Sequence, residues 1–138
     1  MIATTSSVSE TREIGVKIAS RTHKGDIIAL DADLGCGKTE FVRGFVSYFD
    51  KSIIVRSPSF AIVNIYQAGC FPVYHFDFYR LTDASELFEI GFDEYIAGDG
   101  VCLIEWASMF PDVLPAHTKM IRLFDRGPTL REIHLPDA

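Results

Sequence analysis

The chain has 138 residues, 48% hydrophobic and 23% charged, which is the size and composition of one globular domain with its own core. Its net charge of −6 is uneven, because residues 1–69 hold 8 Lys and Arg against 7 Asp and Glu, whereas residues 70–138 hold 5 against 12. An acidic surface repels phosphate backbones, which argues against a stand-alone nucleic-acid binder. Three widely spaced cysteines without a C-x-x-C pair argue against a disulfide framework or zinc site and indicate a reducing compartment.

Two features that would direct a protein to a membrane or out of the cell are absent from the sequence. The first residues lack the basic start and apolar run of a signal peptide, and no apolar stretch approaches the roughly 18 residues of a membrane span. We therefore expect a cytoplasmic protein that does not engage a membrane. The acidic stretch 83–99, with six acids and no base, is interpreted either as a solvated helix face or as a docking face for a basic partner.

Helical and strand-like patterns follow one another along the chain. Ile14, Ile18 and Ala19 recur at helical spacing, with Ser9 or Ser7 as the cap, and short apolar runs beside glycines indicate buried strands. The predicted elements are a helix over 9–22, a strand over 26–31, a helix over 38–49, a hairpin of strands over 60–66 and 71–77, a short helix over 83–90 ending at Gly91, a strand over 101–105, and a hairpin over 120–124 and 130–135. This order predicts an α/β fold with antiparallel additions, in one domain over 1–138.

The segment 32–39 reads ADLGCGKT and matches the phosphate-loop spacing G-x-x-x-x-G-K-[ST], except that Ala32 replaces the first glycine. It follows a predicted buried strand and opens a predicted amphipathic helix, which is the context that this motif requires. A methyl group fits at position 32 if the backbone φ stays negative. The pattern therefore predicts a working nucleotide site.

The residue types of the loop suit phosphate. Backbone N–H groups of Gly35, Cys36, Gly37 and Lys38 would face the phosphates, aided by the helix dipole, and Gly37 would allow close backbone approach. Lys38 would reach the β- and γ-phosphates, and the Thr39 hydroxyl would hold Mg²⁺.

A magnesium site beside phosphates also needs a carboxylate, and two candidates end predicted strands. Glu105 follows the apolar run Val-Cys-Leu-Ile, as in a Walker B motif, and is expected to bind the metal directly or through water. Asp77 follows Val-Tyr-His-Phe, and is expected to make a second metal contact or to orient the attacking water. His75, within that strand, is interpreted as a hydrogen-bonded core residue rather than a base.

The nucleotide and the type of reaction can be narrowed further. No N-K-x-D or D-x-x-G element of a guanine-specific GTPase occurs, so ATP is the expected nucleotide. A small-molecule kinase is disfavoured, because no Lys or Arg occurs between Arg80 and Lys119 and little chain is left for an acceptor domain. A nucleotide-gated assembly module with negligible turnover stays open beside the ATPase.

Five segments taken together resemble one family: DLGCGKTEFVRGF (33–45), SPSFAIVNIY (57–66), HFDFYRL (75–81), ELFEIGFDEY (86–95) and LIEWA (103–107). Their order and spacing are similar to those of the TsaE (YjeE) family, small bacterial P-loop ATPases of tRNA threonylcarbamoyladenosine synthesis. The resemblance implies a P-loop NTPase-like core of parallel strands flanked by antiparallel strands and helices. It also implies an ATPase that acts on a TsaB–TsaD protein pair and meets tRNA only indirectly, through its partners.

The resemblance also assigns residues. By motif, Thr39 and Glu105 fall on the Mg²⁺ positions, Asp77 falls on an acid important for turnover, and Thr11 falls on a threonine beside the nucleotide base. Glu40 stands in the nucleotide-contacting loop where a small or hydroxyl residue is common. Its negative charge is expected to weaken ATP binding.

Overall fold

The computed structural model describes residues 1–32, 37–56, 62–79, 81–128 and 130–136. Within these ranges the strands are β1 (Ile2–Thr5), β2 (Ile27–Ala32), β3 (Val63–Gln67), β4 (Pro72–Asp77), β5 (Val101–Glu105), β6 (Lys119–Asp125) and β7 (Arg131–His134). The α-helices are α1 (Val8–Ser20), α2 (Lys38–Phe49), α3 (Ser85–Glu89) and α4 (Phe92–Ala97), and short 3₁₀ helices cover Ala107–Met109 and Pro111–Val113. None of the helices in the described ranges is long and apolar enough to cross a membrane.

The strands form one seven-stranded sheet in the order β1-β7-β6-β2-β5-β4-β3. The central strands β6, β2, β5 and β4 are mutually parallel. Antiparallel pairs, β6–β7–β1 on one side and β4–β3 on the other, complete the edges. The expected α/β class, a parallel core flanked by antiparallel strands and helices, is confirmed.

Strand β2 shows how the sheet buries its two faces. Its side chains alternate, so that Ile28 and Leu30 join the cluster under α1 and α2, whereas Ile27 and Ala29 join the cluster that contains residues of α3 and α4. All four are buried, as expected for a parallel strand covered on both sides. The carboxyl end of β2 therefore sits at the centre of the sheet, where ligands bind in open α/β folds.

Helices α1 and α2 touch through their backbones. A Cβ atom on Gly15 would lie 2.3 Å from the carbonyl oxygen of Phe41, and one on Gly44 would lie 2.0 Å from the carbonyl oxygen of Arg12. Any side chain at either position would force the helices apart. This close approach places the N-terminal half of α1 against the start of α2.

Two elements depart from the sequence prediction. Strand β1 was not expected; its partner β7 lies about 130 residues away in the sequence, so no local pattern marks the pairing. Helix α4 follows Gly91, which was expected to end the acidic helix and has φ 82°. The left-handed conformation of this glycine lets the chain turn and begin a second helix, whose Phe92 is fully buried.

Candidate functional site

The two ends of the segment 32–39, which is predicted to bind phosphate, lie at the end of β2 and the start of α2. Strand β2 ends at Ala32 and α2 begins at Lys38, preceded by Gly37 with φ 85°. Ala32 is paired with Leu123 of β6, so the position of the missing first glycine is extended strand, which accepts a methyl group. Gly35 and Cys36, predicted to face phosphate, lie outside the described residues.

The side chain of Lys38 is directed into the end of the sheet. Its Nζ lies 3.6 Å from Oε1 of Glu105 and 4.3 Å from the centroid of the Trp106 ring. Only 12% of the lysine side chain is exposed. Lys38 and Glu105, predicted separately from two motifs some 65 residues apart, thus meet in a shielded place where charge interactions are strong.

Glu105 ends β5 between two parallel strands, in register with Leu30 of β2 and with Asp77 of β4. Its Oε2 accepts a short hydrogen bond from Nε2 of His75, while Oε1 is the oxygen nearest Lys38. Burial raises the pKa of Glu105, but the hydrogen bond and charge of His75, with the charge of Lys38, outweigh it and hold the pKa below its ordinary value. The carboxylate is therefore ionised, as a metal ligand must be.

Asp77 ends β4 beside Glu105 and is half-buried. Its Oδ1 accepts a hydrogen bond of 2.9 Å from the backbone N–H of Tyr79, which fixes the turn that follows the strand. The structure thus brings the two predicted acids to adjacent strand ends. Which of them contacts a metal stays a prediction.

Thr11 lies on α1 against the start of α2. A Cβ atom on Gly37 would sit 3.7 Å from its methyl group, and its hydroxyl is 2.9 Å from that of Thr5. Thr11 and Gly37 border a cleft of about 210 Å³. Other residues lining the cleft are Ser7, Glu40, Pro128 and Arg131.

Glu40, in the first turn of α2, has positively charged neighbours. Its Oε2 lies 2.6 Å from Nε of Arg12 on α1, and its Oε1 is paired with Arg43 one turn further along α2. The expectation that this carboxylate weakens ATP binding considered the Glu40 charge alone. Because two guanidinium groups offset that charge, we expect its effect on a nearby anion to be smaller than the charge of Glu40 alone predicts. Thr39, which precedes it, is half-buried in the same turn.

Two further residues, Trp106 and His75, adjoin the site; by motif Trp106 falls on the tryptophan that follows the Walker B glutamate in the family that the chain resembles, or else packs in the core. Trp106 has a left-handed backbone, φ 58°, and its ring packs against Tyr79 at 5.0 Å as well as under Lys38. His75 is buried and bonded, as expected for a core residue, but its partner is the predicted metal ligand. The alternation of side chains along β4 could have indicated that His75 lies near the predicted metal site, because His75 and Asp77 project from the same face of the strand.

Comparisons with known proteins show which family the chain belongs to. The family model of the threonylcarbamoyl adenosine biosynthesis protein TsaE matches residues 5–133. The tRNA threonylcarbamoyladenosine biosynthesis protein TsaE of Bacillus subtilis is 42% identical over 124 residues, covering 90% of this chain and 77% of that protein. The TsaE of Rickettsia prowazekii is 34% identical over 134 residues, covering 95% of this chain and 92% of that protein.

A solved structure is also similar. The crystal structure of Bacillus subtilis YdiB superposes with a TM-score of 0.82 at 36% identity, covering 96% of this chain and 82% of that one. The family match spans nearly the whole chain, including the predicted phosphate loop. The chain therefore belongs to the TsaE family, whose role is in tRNA threonylcarbamoyladenosine biosynthesis.

Proposed function

We propose that this protein is a Mg²⁺-dependent ATPase of the cytoplasm, an accessory factor that acts on a TsaB–TsaD-type protein pair during tRNA threonylcarbamoyladenosine synthesis. The observation that carries the proposal is the meeting of Lys38, at the first position of α2, with Glu105, at the end of the neighbouring parallel strand β5. A lysine, a helix N-terminus and a strand-end carboxylate together form the working parts of a phosphoryl-transfer site.

Phosphate binding rests on the start of α2. The N–H groups of the first helical turn have no partners within the helix, and the helix dipole adds partial positive charge there. The left-handed backbone of Gly37 suits a loop whose N–H groups turn toward an anion. Lys38 would exchange its contact with Glu105 for the β- and γ-phosphates of ATP.

The residues present fit a magnesium ion, since Thr39 and Glu105 offer the hard oxygen ligands that Mg²⁺ prefers. When bound, Mg²⁺ would neutralise charge on the β- and γ-phosphates. Release of Lys38 to the phosphates would leave Oε1 of Glu105 available to the metal or to one of its waters. Asp77, on the adjacent strand, would make a further metal contact or hold the attacking water.

The nucleoside would occupy the cleft beside Thr11. This cleft opens between the start of α1 and the first turn of α2 and continues to Pro128 and Arg131. Its position next to Gly37 puts it within reach of a nucleotide whose phosphates lie at the loop. Adenine is the proposed base, because the motif of guanine-specific enzymes is absent from the sequence.

The family supports the proposed partner, and the charge of the chain supports the proposed indirect relation to tRNA. A net charge of −6 disfavours direct binding to a phosphate backbone, so tRNA would be reached through the protein pair. ATP binding and hydrolysis would then serve to reset that complex between rounds of modification.

The test is ATP turnover by the purified chain with Mg²⁺, alone and with a TsaB–TsaD pair, using Lys38→Ala as the blank. We expect slow hydrolysis that rises with the pair and disappears in the variant. Turnover indifferent to the pair would retain the ATPase and reject the partner. No turnover in any mixture, with nucleotide binding retained, would favour the nucleotide-gated module, in which Asp77→Ala leaves partner function intact.

A further inference from the structure

A row of hydrogen bonds runs behind Glu105, away from the phosphate side. Nε2 of His75 contacts Oε2 of Glu105, and Nδ1 of the same ring lies 3.2 Å from the hydroxyl of Tyr66. The Tyr66 hydroxyl oxygen lies 3.0 Å from the backbone carbonyl oxygen of Arg56 and 3.3 Å from the backbone nitrogen of the same residue. His75 is 1% exposed and Tyr66 is 7% exposed, so these two side chains are shielded from water.

We propose that His75 is a positioning residue that holds the Glu105 carboxylate in the orientation needed to receive magnesium with bound nucleotide. This inference rests on the proposed function, since it concerns the same site. His75 itself would touch neither nucleotide nor metal.

The geometry divides the two carboxylate oxygens between two tasks. An ionised carboxylate can only accept hydrogen bonds, so Nε2 of His75 must donate to Oε2. Oε1 is left on the side of Lys38, 3.6 Å from its Nζ. With Oε2 tied to the ring, the carboxylate cannot rotate both oxygens toward the lysine, and Oε1 keeps facing the place where phosphate and metal would bind.

The imidazole ring is itself held firmly. Strand β4 places His75 opposite Leu103 of β5 and Asn64 of β3, within the sheet. The Tyr66 hydroxyl then fixes Nδ1. Partners of this kind behind a metal ligand set its orientation, and their loss typically lowers metal affinity about 10- to 100-fold.

Loss of the donor would have a specific consequence. Glu105 would still be buried and charged, and Lys38 would remain as its close cation. A buried carboxylate gains greatly from a cation nearby, so the carboxylate would turn both oxygens toward Lys38. It would then compete with phosphate for the lysine and would no longer direct Oε1 toward the place where magnesium would bind. We therefore expect magnesium affinity to fall while folding is retained.

Two substitutions at position 75 test this as a matched pair. In His75→Gln the side-chain amide reaches the position of Nε2 and can donate to Glu105, whereas in His75→Asn the amide replaces Nδ1 and stops short of the carboxylate. Both variants lose the ring and gain an amide. A difference between them therefore reports the donor to Glu105, not the loss of the imidazole packing.

The readout is the fluorescence of Trp106, the single tryptophan of the chain, whose ring lies 4.3 Å from Nζ of Lys38. A non-hydrolysable ATP analogue is titrated without Mg²⁺, and Mg²⁺ is then titrated at saturating analogue. We expect His75→Asn to bind Mg²⁺ at least 10-fold more weakly than the wild type and His75→Gln to stay within about threefold. Analogue affinity without Mg²⁺ should stay within about twofold in His75→Gln, and in His75→Asn it should fall less than Mg²⁺ affinity does, because the N–H groups at the start of α2 would still bind phosphate.

Each outcome decides between the two proposals. Equal magnesium affinities in His75→Asn and wild type, or an equal loss in both variants, would overturn the positioning role while leaving the ATPase proposal standing. If His75→Asn does not fold, a loss of 10-fold or more in His75→Gln still overturns the role, and retention supports it. A wild-type chain that binds no analogue would reject the proposed function, and the positioning role with it.

Discussion

The two faces of the sheet are built in different ways. On one face α1 and α2 approach until their backbones touch at Gly15 and Gly44, over mostly aliphatic side chains. On the other face the short helices α3 and α4 pack on aromatic rings. The ring centroid of Phe92 lies 5.2 Å from that of Phe76 and 5.6 Å from that of Phe78. On the first face the backbone contact sets the distance between α1 and α2, whereas on the second face large side chains fill the space between the sheet and the helices.

This difference matters because the site draws on the faces unequally. Thr11 and Lys38 belong to α1 and α2, so their separation follows directly from how closely those helices pack. Glu105 and Asp77 belong to the strands, and the aromatic face supports them from behind. Damage to the first face should therefore affect both stability and ligand binding, whereas damage to the second should affect mainly stability.

The largest effect is expected from Phe92→Ala, on the aromatic face. Removal of a fully buried ring leaves a cavity and should lower the free energy of unfolding by about 3–5 kcal/mol. Urea denaturation measures this loss, and nucleotide affinity of the folded variant should remain within about twofold of wild type. Phe88→Ala is the control, because Phe88 lies on the neighbouring helix with 54% of its surface exposed and should cost less than about 0.5 kcal/mol. Equal losses in both variants would contradict this account of the aromatic face.

A smaller loss of stability, with a larger effect on the site, is expected from Gly44→Ala. By helix propensity alone this change would stabilise α2 by about 1 kcal/mol. The added methyl group would instead lie 2.0 Å from the carbonyl oxygen of Arg12, so the helices must separate, at about 1–3 kcal/mol. Since the separation also moves Thr11 from Gly37, we expect nucleotide affinity to fall several-fold.

Urea denaturation and nucleotide titration of the same Gly44→Ala preparation check both parts of that prediction. Glu13→Ala, at an exposed position of α1, provides a control of the same helix pair and should change neither quantity appreciably. A Gly44→Ala variant that is more stable than wild type would show that α1 and α2 can separate without cost. The backbone contact would then not distinguish this face of the sheet from the aromatic face.

The sequence was most informative where a local pattern decides the structure. The start and end of α2 and of β5 were predicted to the residue, because a glycine loop and an unbroken apolar run mark them. The strand-end positions of Asp77 and Glu105 followed from the same apolar runs. That these two strands are parallel neighbours, with Asp77 and Glu105 in register, came from the structure.

Local patterns could not indicate what depends on distant contacts. Strand β1 forms by pairing with the edge of β7. The hydrogen bond of His75 to Glu105 depends on two strands that are far apart in sequence. The left-handed backbone of Trp106 has no sequence signal, since such a conformation is rare for a residue with a side chain. For Glu40 the sequence indicated the charge but not its partners Arg12 and Arg43.

The smallest expected effect tests that last point, on the α1–α2 face. Arg12→Gln removes one of the two cations that offset Glu40, so the carboxylate should repel phosphate more strongly and weaken nucleotide binding. Because the pair is exposed to solvent, the change should be only about twofold at low salt and should disappear as salt screens the charges. Lys17→Gln is the control: it removes the same charge from an exposed position near the other end of α1. Nucleotide titration at two salt concentrations measures the difference. An equal effect in both variants would mean that net charge alone acts, and that Arg12 has no particular relation to Glu40.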